Sequence, residues 1–551
     1  MQKEIRQCQN CKKDFTIETD DFSFYEKMKV FTPSLCFECG MSRLTSLRNE
    51  RIIYWNKCKK CENKTMSLYH PDSGYIVYCH ACWWKDEWDG LSYGFDYDDS
   101  KSLIEQINNL QKNVPRESVI VLNSTNCNYG NNIRDSKDCY FCFLIAGSEH
   151  ILYSMWMVNS KDCMEDHKVI DSELVIHSVD VANSYKSAYL HDSSDCSFCY
   201  FSYDLKGCNN CLLCSNLRNK SYCFKNKQLT KEEYQKEYEK FIDGSFETFN
   251  KTIEEYKNIQ KKAIHRFSFT LKTTESIGNY LQNCNKSHWC FDGVNSQQVR
   301  NVASILYSKD SCFSYSVGTQ PTENIFGGCV IKGGAVIKNS FNIFNSSYCS
   351  WCDSLVSCNN CIGCVGLKKK EYCILNKQYT KDDYNKIYKK IEEKGELSNF
   401  IEPLFSTFSY NETVAQDYYP LRKEEALQQK YKWQDDIPMT TGQETLKIKD
   451  LPDNIKDTND DILDQILSCI NCQRNYRIVP DEFSYLKDFN LPIPRECPQC
   501  RMSTRREMRL PFKLWHRSCM KEGCNNEFET SYAPERPEIV YCERCYQQEV
   551  Y

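Results

Sequence analysis

The 551-residue sequence lacks any long apolar run. Its best candidate, residues 119–122, is far shorter than the roughly 18 apolar residues that identify a membrane-spanning helix. Residues 1–6 also lack the apolar core of an export signal. We therefore expect no membrane association and a cytoplasmic, reducing location. In such a location, paired cysteines bind metal more often than they form disulfides.

Two further absences limit the classes of function that fit the sequence. The net charge is −5, so no overall positive field attracts nucleic acid, and thiolate-bound zinc would make the chain more negative still. The sequence also contains no phosphate-binding loop, no GxSxG nucleophile elbow and no HExxH helix. Any nucleic-acid surface must therefore be local, and no common catalytic motif identifies an enzyme.

The 36 cysteines are the most informative residues. Sixteen form two matching sets near the ends, each with four pairs separated by 24, 18 and 17 residues. The sets are Cys8, Cys11, Cys36, Cys39, Cys58, Cys61, Cys79, Cys82 and Cys469, Cys472, Cys497, Cys500, Cys519, Cys524, Cys542, Cys545. Only the third C-terminal pair is widened, from CxxC to Cx4C. Neighbouring residues recur as well, so both ends are copies of one module.

This spacing predicts four structural zinc ions, two in each module. Zinc prefers four soft ligands at tetrahedral corners, and each cysteine pair supplies two of them from one tight turn. Neighbouring pairs along the chain would complete four zinc ribbons. A cross-brace, in which the first pair joins the third, is the alternative that the spacing leaves open. Four protein ligands close each site, so these ions would be structural rather than catalytic.

The segments that join the ribbons are basic, with interleaved tryptophans. Such segments could grip phosphates and stack on bases, although a solvated face is the alternative. The candidate nucleic-acid contacts are Arg43, Arg48, Arg51, Lys57, Lys59, Lys60, Arg501, Arg505, Arg506, Arg509, Lys513 and Arg517.

The middle of the chain contains a second duplication, offset by 150 residues. Cys208, Cys211, Cys214 and Cys223 precede an Asn-Lys-Gln segment, and Cys358, Cys361, Cys364 and Cys373 precede another. Thr230 with Glu233, and Thr380 with Asp383, match capping boxes that begin helices. This pattern predicts, in each half of the middle region, a cysteine-rich unit followed by an α-helix.

Before each helix, short apolar runs alternate with Asn, Ser, Asp and Gly, which predicts short strands with tight turns. Fragments such as Ser160-Lys161-Asp162-Cys163 recur at irregular spacing. The predicted fold class is mainly β and multi-domain, with zinc-ribbon pairs at both ends of two parallel β-helix (solenoid) units.

The cysteines of the middle units allow three interpretations. They pack as small hydrophobes, or they bind further metal, or Cys208, Cys211 and Cys214 hold an iron–sulfur cluster. The third interpretation lacks the fourth cysteine and proline of the bacterial pattern.

One cluster suggests catalysis. The cluster of Asp162, Cys163, Glu165, Asp166 and His167 could place a base beside a thiol. The four catalytic candidates in it are Asp162, Cys163, Asp166 and His167. The other half has no counterpart, and charged turns are commoner than active sites.

We expect eight segments. They are a double zinc ribbon (1–95), a linker with a short helix (96–118), the first solenoid unit (119–225), a helical connector (226–272), the second solenoid unit (273–375), a helical segment (376–433), an acidic linker (434–464) and the C-terminal double zinc ribbon (465–551). The acidic linker is expected to be a solvated tether.

The order of the cysteine pairs, residues 78–84 and the Asn-Lys-Gln segments at 226–228 and 376–378 resemble a family of uncharacterised multi-zinc-ribbon, Cys-rich repeat proteins of candidate-phylum bacteria. The resemblance implies zinc binding and an intracellular location. It implies no activity.

Three functions fit these patterns. The first is a non-enzymatic scaffold that binds a protein partner, or a second copy of itself, through its ribbon pairs and solenoid walls. The second is RNA or DNA binding through the basic segments. The third is an enzyme with its active site on a solenoid wall, which is an analogy of fold alone.

Overall fold

The computed structural model describes residues 2–338, 340–397 and 400–551, and these form a mainly β protein with two large, mostly parallel sheets. The first sheet has sixteen strands: Val121–Leu122, Thr125–Asn128, Asn131–Arg134, Lys137–Tyr140, Phe143–Ala146, Glu149–Leu152, Met155–Val158, Lys161–Met164, His167–Ile170, Glu173–Ile176, Val179–Ala182, Tyr185–Ser194, Tyr200–Tyr203, Asn209–Leu212, Ser221–Phe224 and Lys227–Gln228. The second has fourteen: Thr270–Leu271, Ile277–Gln282, His288–Val294, Gln297–Leu306, Ser308–Val317, Thr322–Phe326, Cys329–Lys332, Gly334–Lys338, Phe341–Phe344, Ser347–Ser350, Asp353–Val356, Asn359–Ile362, Glu371–Ile374 and Lys377–Gln378. The helices are Thr19–Lys27, Phe37–Thr45, His80–Trp84, Leu103–Asn113, Lys231–Phe241, Phe246–Lys262, Lys381–Glu393, Val414–Tyr418, Lys423–Gln428, Pro480–Asp488, Pro498–Glu507 and Glu543–Val550.

Pairing in the first sheet repeats every 12 residues. Lys137 lies beside Glu149, Glu149 beside Lys161, and Lys161 beside Glu173, all in parallel strands. Every third residue from Asn123 to Lys225 has a positive φ. Because this conformation is unfavourable for most L-residues, each such position marks a corner that the surrounding hydrogen bonds must hold.

A ladder of serines supplies some of those bonds. The backbone N–H of Ser148 donates to Ser136 Oγ at 3.1 Å, and the N–H of Ser160 donates to Ser148 Oγ at 3.1 Å. Ser160 Oγ in turn donates to the carbonyl of Val158 at 3.0 Å. In the first sheet the expected irregular spacing is wrong, because these serines recur at the 12-residue interval of the strand register. In the second sheet the interval does vary, from 11 residues between Ile277 and His288 to 14 between Ser308 and Thr322.

Most cysteines of the middle units are buried in core clusters formed by residues of the two sheets. Cys163, Cys211 and Cys361 are fully buried, and the first two belong to a core cluster of the first sheet. Buried thiols donate to nearby carbonyls, as Cys163 Sγ does to Lys161 O at 3.1 Å. These residues therefore serve as small core side chains with a weak donor.

Both predicted helices after the repeats are present. Thr230 Oγ1 accepts from the N–H of Glu233 at 3.2 Å, and the Glu233 carboxylate accepts from the N–H of Thr230 at 2.9 Å. At helix Lys381–Glu393, Thr380 Oγ1 likewise accepts from the N–H of Asp383 at 3.2 Å. The Asp383 carboxylate accepts from the Thr380 hydroxyl at 2.9 Å rather than from its N–H, so this helix has only half of the expected capping box.

Each terminal module contacts both halves of the molecule. Strand Val77–Tyr78 of the N-terminal module pairs with Arg116–Glu117, just before the first sheet, whereas Phe37 packs on Trp289 and Phe291 of the second sheet. The C-terminal module does the reverse. Its strand Ile539–Tyr541 pairs with Ile264–Arg266 before the second sheet, and its helix Pro498–Glu507 contacts the first sheet.

The acidic segment 434–464 is not solvated throughout, as we had expected. Leu451, Ile455 and Ile462 are buried in a cluster with the C-terminal module. Asp453 caps helix Phe246–Lys262: its carbonyl accepts from the N–H of Phe246 at 2.8 Å, and its carboxylate from the N–H of Glu247 at 3.1 Å. The expectation was wrong because a few apolar residues among many acidic ones are enough to pack the segment against the C-terminal module.

Candidate metal centres

Each of the four terminal groups of four cysteines joins a β-hairpin to the start of a helix. The first cysteine pair lies in the hairpin turn, and the second pair begins at the residue that caps the helix. The hairpins are Glu4–Gln7 with Asp14–Ile17, Tyr54–Lys57 with Lys64–Ser67, Leu467–Ser468 with Asn475–Tyr476, and Trp515–Ser518 with Glu527–Thr530. The groups are Cys8, Cys11, Cys36, Cys39; Cys58, Cys61, Cys79, Cys82; Cys469, Cys472, Cys497, Cys500; and Cys519, Cys524, Cys542, Cys545. Neighbouring pairs therefore come together, and the cross-brace alternative is wrong.

The distances between sulfurs fit a tetrahedral metal ion. In each group the four sulfurs lie within 4.8 Å of one another. The contacts between pairs are 3.8 Å for Cys11–Cys36, 3.8 Å for Cys61–Cys79, 3.6 Å for Cys472–Cys497 and 3.9 Å for Cys524–Cys542. Zinc–sulfur bonds of about 2.3 Å at tetrahedral angles place sulfurs about 3.8 Å apart, whereas a disulfide needs about 2.05 Å. The widened Cx4C pair meets the same requirement as the others.

Backbone amides prepare these thiols for a metal. The N–H groups of Cys36, Cys79 and Cys542 each point at a partner sulfur, at 3.3 Å in all three groups. Burial raises the pKa of Cys58, but the N–H groups of Cys61, Cys79 and Lys60 lower it to about 6. This shift favours the thiolate of Cys58, the form that binds metal, whereas burial raises the pKa of Cys79 and raises that of Cys82 to about 12 in the same group.

The arginines of the C-terminal basic segment face inward. Glu165 of the first sheet is fully buried, and it pairs with Arg501 at 2.9 Å and with Arg505. Arg506 pairs with Asp417 at 2.5 Å. Three of the predicted nucleic-acid contacts are therefore engaged within the chain.

Arg509 joins three parts of the molecule. Its Nε lies 2.8 Å from Asp180 of the first sheet, and its Nη2 lies 2.7 Å from Asp292 of the second. Lys168 Nζ also contacts Asp292, at 2.6 Å. Burial raises the pKa of Asp292, but Arg509 and Lys168 together hold it well below its usual range. Asp292 is therefore an ionised carboxylate with two cationic partners.

The remaining predicted nucleic-acid contacts divide into buried and exposed groups. Their partners are Glu50 for Arg48, Asp417 for Arg51, the Ile401 carbonyl for Arg43, Glu62 for Lys57, Glu87 for Lys60, Glu38 for Lys513 and the Ala533 carbonyl for Arg517. Lys57 and Lys59 are exposed. The prediction of nucleic-acid contacts was wrong for the buried Arg48, Arg501, Arg505 and Arg509. A run of basic residues reveals charge, but it does not reveal burial beside acidic residues distant in sequence.

The four catalytic candidates have different surroundings. Asp162 bonds to His150 Nδ1 at 3.0 Å on the outside of the sheet, whereas Cys163 lies in the core. Asp166 accepts from the N–H of Ser178 at 2.8 Å, and His167 is 1% exposed. Burial and then Asp166 raise the pKa of Cys163 well above its usual range. A buried, protonated thiol is a poor nucleophile, so the surroundings of Cys163 give this hypothesis no support, and it stays a prediction.

Sequence reasoning missed the acidic residues that hold the modules in place. Glu165 lay inside the catalytic candidate cluster, and Asp180, Asp292 and Asp417 were not singled out. One feature of the sequence does indicate such residues: a single charged residue inside a mostly apolar strand, such as Asp292 in His288–Val294. Such a charge must have a partner when it is buried.

Comparisons with protein-family models, curated proteins and solved structures find no match to the chain. The resemblance to multi-zinc-ribbon proteins therefore stays a prediction. Among the described residues, no helix has both the length and the apolar composition needed to span a bilayer.

Proposed function

We propose that the protein is a zinc-dependent cytoplasmic scaffold that binds a protein partner through its ribbon pairs and β-sheet walls. The observation that carries this proposal is the combination of four closed four-cysteine groups with modules fastened to both sheets. Four protein thiols per ion leave no open coordination position, which favours a structural role for zinc.

The 12-residue register supports the finer architecture. We infer that each large sheet winds as a parallel β-helix, with two strands in each 12-residue turn of the first unit. A winding of this kind offers long, flat walls whose side chains are fixed by their neighbours above and below. Rigid walls suit the presentation of a binding surface.

The best candidate surface is a row of aromatic residues that crosses from the N-terminal module to the first sheet. Trp55 is 48% exposed, and Tyr129 is 38% exposed. The centroids of their rings are 5.9 Å apart. The ring centroids of Tyr129 and Tyr140 are 5.5 Å apart, and Lys64 Nζ lies 4.2 Å from the centroid of the Trp55 ring. We call these four residues the Trp55 surface. Exposed tryptophan and tyrosine beside a cation are enriched among the residues that dominate protein interfaces.

A pull-down with nuclease treatment tests the proposal. The wild-type chain is expected to retain a protein partner after nuclease digestion, and Trp55→Ala is expected to lose at least tenfold of it. Tyr348→Ala is the matched control, since Tyr348 is 53% exposed on the second sheet. Equal retention by wild type and Trp55→Ala would contradict the proposed surface.

RNA or DNA binding remains a second candidate because of one observation. Lys57 and Lys59 are exposed close to Trp55, in the hairpin whose turn contains Cys58 and Cys61. Binding that nuclease abolishes, and that falls steeply with added salt, would favour nucleic acid over protein.

A further inference from the structure

The acidic strap, which we define as residues 86–99, lies across the last turns of the second sheet. It contains Asp86, Glu87, Asp89, Asp96, Asp98 and Asp99. The side-chain amide of Asn376 donates to the carbonyl of Gly90 at 2.9 Å, and the N–H of Phe95 donates to the carbonyl of Leu375 at 3.3 Å. These main-chain bonds position the strap, whereas its side chains decide which segment fits.

Charge pairs and aromatic packing complete this contact. Lysines of the second unit pair with three aspartates of the strap: Lys370 with Asp89 at 2.7 Å, Lys377 with Asp96 at 2.6 Å and Lys390 with Asp99 at 3.5 Å. The strap residues Trp88, Tyr93 and Phe95 pack on a cluster of Leu110, Val114 and Val365. The segment that covers this sheet end is therefore both acidic and aromatic.

The first sheet ends in the same arrangement, 150 positions earlier in the sequence. The second unit's Lys370, Lys377, Lys390 and Asn376 correspond to Lys220, Lys227, Lys240 and Asn226. Cys223 pairs with Gln228 in the same antiparallel register as Cys373 with Gln378. The N–H of Leu229 donates to the Tyr222 carbonyl, and that of Tyr379 to the Tyr372 carbonyl, both at 2.9 Å. The two sheet ends therefore share their backbone and their lysines.

No described residue takes the place of the strap at the first sheet. Asn376 is fully buried, and its amide donates to two carbonyls, whereas Asn226 is exposed and its amide donates to the Ser215 carbonyl alone, at 3.0 Å. Lys220 and Lys227 are exposed, and neither has an ion-pair partner in the described part of the chain. The contacts that hold the strap at one sheet end are thus free at the other.

An open groove of about 510 Å³ lies at this free end. Its lining includes Leu213, Ser215 and Asn226 from the sheet end and Asn258, Ile259 and Lys262 from helix Phe246–Lys262. Lys225 and Glu255 also line it and pair with each other at 2.5 Å, which leaves Lys262 as the one lining charge without an ion-pair partner among the described residues. The groove and its rim therefore carry unpaired positive charge.

Helix Lys231–Phe241, at one side of the free end, does not add to this charge. Its Lys240 already pairs with Glu237 at 2.6 Å, and the helix contains four glutamates against three lysines. We therefore place the acidic contacts at Lys220 and Lys227 and assign none to Lys240.

We propose that the end of the first sheet binds a short acidic peptide segment of a protein partner, in the place that the acidic strap takes at the second sheet. Carboxylates of the segment pair with Lys220 and Lys227, and its main chain bonds to the Asn226 amide and the Lys225 carbonyl. An aromatic side chain of the segment enters the groove. This site goes beyond the scaffold proposal and does not depend on the Trp55 surface.

A labelled peptide of residues 86–99 tests the site by fluorescence anisotropy with the zinc-loaded full chain. We expect one peptide to bind per chain, because the second sheet end is already covered, and we expect added salt to weaken binding. A scrambled peptide of the same composition is the control. Equal binding of the scrambled peptide, or no binding of residues 86–99, would overturn the proposal. Tighter binding of a single-stranded oligonucleotide, or a dimer of the chain that the peptide dissociates, would assign the site to another occupant and contradict it.

A charge swap tests the assigned lysines. The double variant Lys220→Glu, Lys227→Glu is expected to weaken peptide binding by about tenfold, because two attractive pairs become repulsive, and to leave the melting temperature unchanged, because both residues are exposed. A peptide with Asp89→Lys and Asp96→Lys should restore binding to this variant. Lys272→Glu is the matched control, since Lys272 is exposed just after strand Thr270–Leu271 of the second sheet. Unchanged affinity in the double variant, or no rescue by the swapped peptide, would contradict the assignment.

Discussion

Removal of zinc with a strong chelator is expected to unfold both terminal modules. Each hairpin strand has at most four residues, and buried residues of the modules, such as Met41 and Phe483, belong to clusters shared with the rest of the chain. The hairpins therefore depend on the metal to hold them against their helices. A structural zinc contributes about 10–16 kcal/mol of binding free energy in small zinc modules at pH 7, which exceeds the stability of most domains. Circular dichroism and limited proteolysis, before and after chelation, measure the effect.

The consequence extends beyond the modules. Strands Val77–Tyr78 and Ile539–Tyr541 pair with the short strands that precede the two sheets, so we expect those strands to fray when the modules unfold. Restored zinc should restore the protease-resistant pattern. Chelated protein with the same melting temperature as the holoprotein would contradict a structural role for the metal.

A paired substitution identifies the ligands. Cys61→Ser is expected to remove one equivalent of zinc and to expose the N-terminal module to protease. Cys127→Ser is the control, because Cys127 is half-buried at the start of the first sheet and donates to the carbonyl of Thr125. Loss of zinc in the control, or none in Cys61→Ser, would show that the ligands are misassigned.

Replacing Arg509 by Leu is expected to destabilise the chain by about 3–5 kcal/mol, as does the loss of one partner from a buried ion pair. The substitution leaves Asp180 and Asp292 buried without their guanidinium, and Asp292 is then left with Lys168. Urea unfolding measures the change. Arg422→Leu is the control, because Arg422 is 82% exposed in its pair with Glu425 and should change stability by less than about 1 kcal/mol.

The Asp292→Asn variant adds a dependence on pH. Because the pKa of Asp292 is lowered in the folded chain, its carboxylate stabilises the fold above the ordinary carboxyl pKa of about 4. The stability difference between wild type and Asp292→Asn should therefore be full near neutral pH and shrink as the pH falls below about 4. A difference that stays constant, or an Arg509→Leu variant as stable as wild type, would contradict the ion-pair account.

The terminal ligands could be predicted from the sequence because metal chemistry dictates residue type and spacing together. All sixteen cysteines group as sequential pairing predicts. The choice between sequential and crossed pairing required the fold, since both satisfy the same intervals. The Cx4C pair could be matched to its CxxC counterpart only by position.

The 12-residue period was present in the sequence but was obscured. The cysteines alone do not show the interval, because other residues take the cysteine position in some repeats, as Ile151 does between Cys139 and Cys163. The serines at 136, 148 and 160 show the interval directly. Asn and Asp, which tolerate positive φ, also recur at corners, as at Asn159, Asp162 and Asp171.

The basic segments and the acidic segment could not be placed from sequence for a shared reason. Charged residues predict solvent exposure only when no partner is available, and the partners here are distant in the chain. Arg509 and Asp292 are 217 residues apart, and Asp453 caps a helix that begins more than 200 residues earlier. Local composition carries no information about such pairs.

Metal analysis of the purified, reduced chain tests the central claim most directly. The account predicts four zinc ions per chain, all released when the terminal cysteines are blocked. A fully folded chain that contains no metal would contradict it.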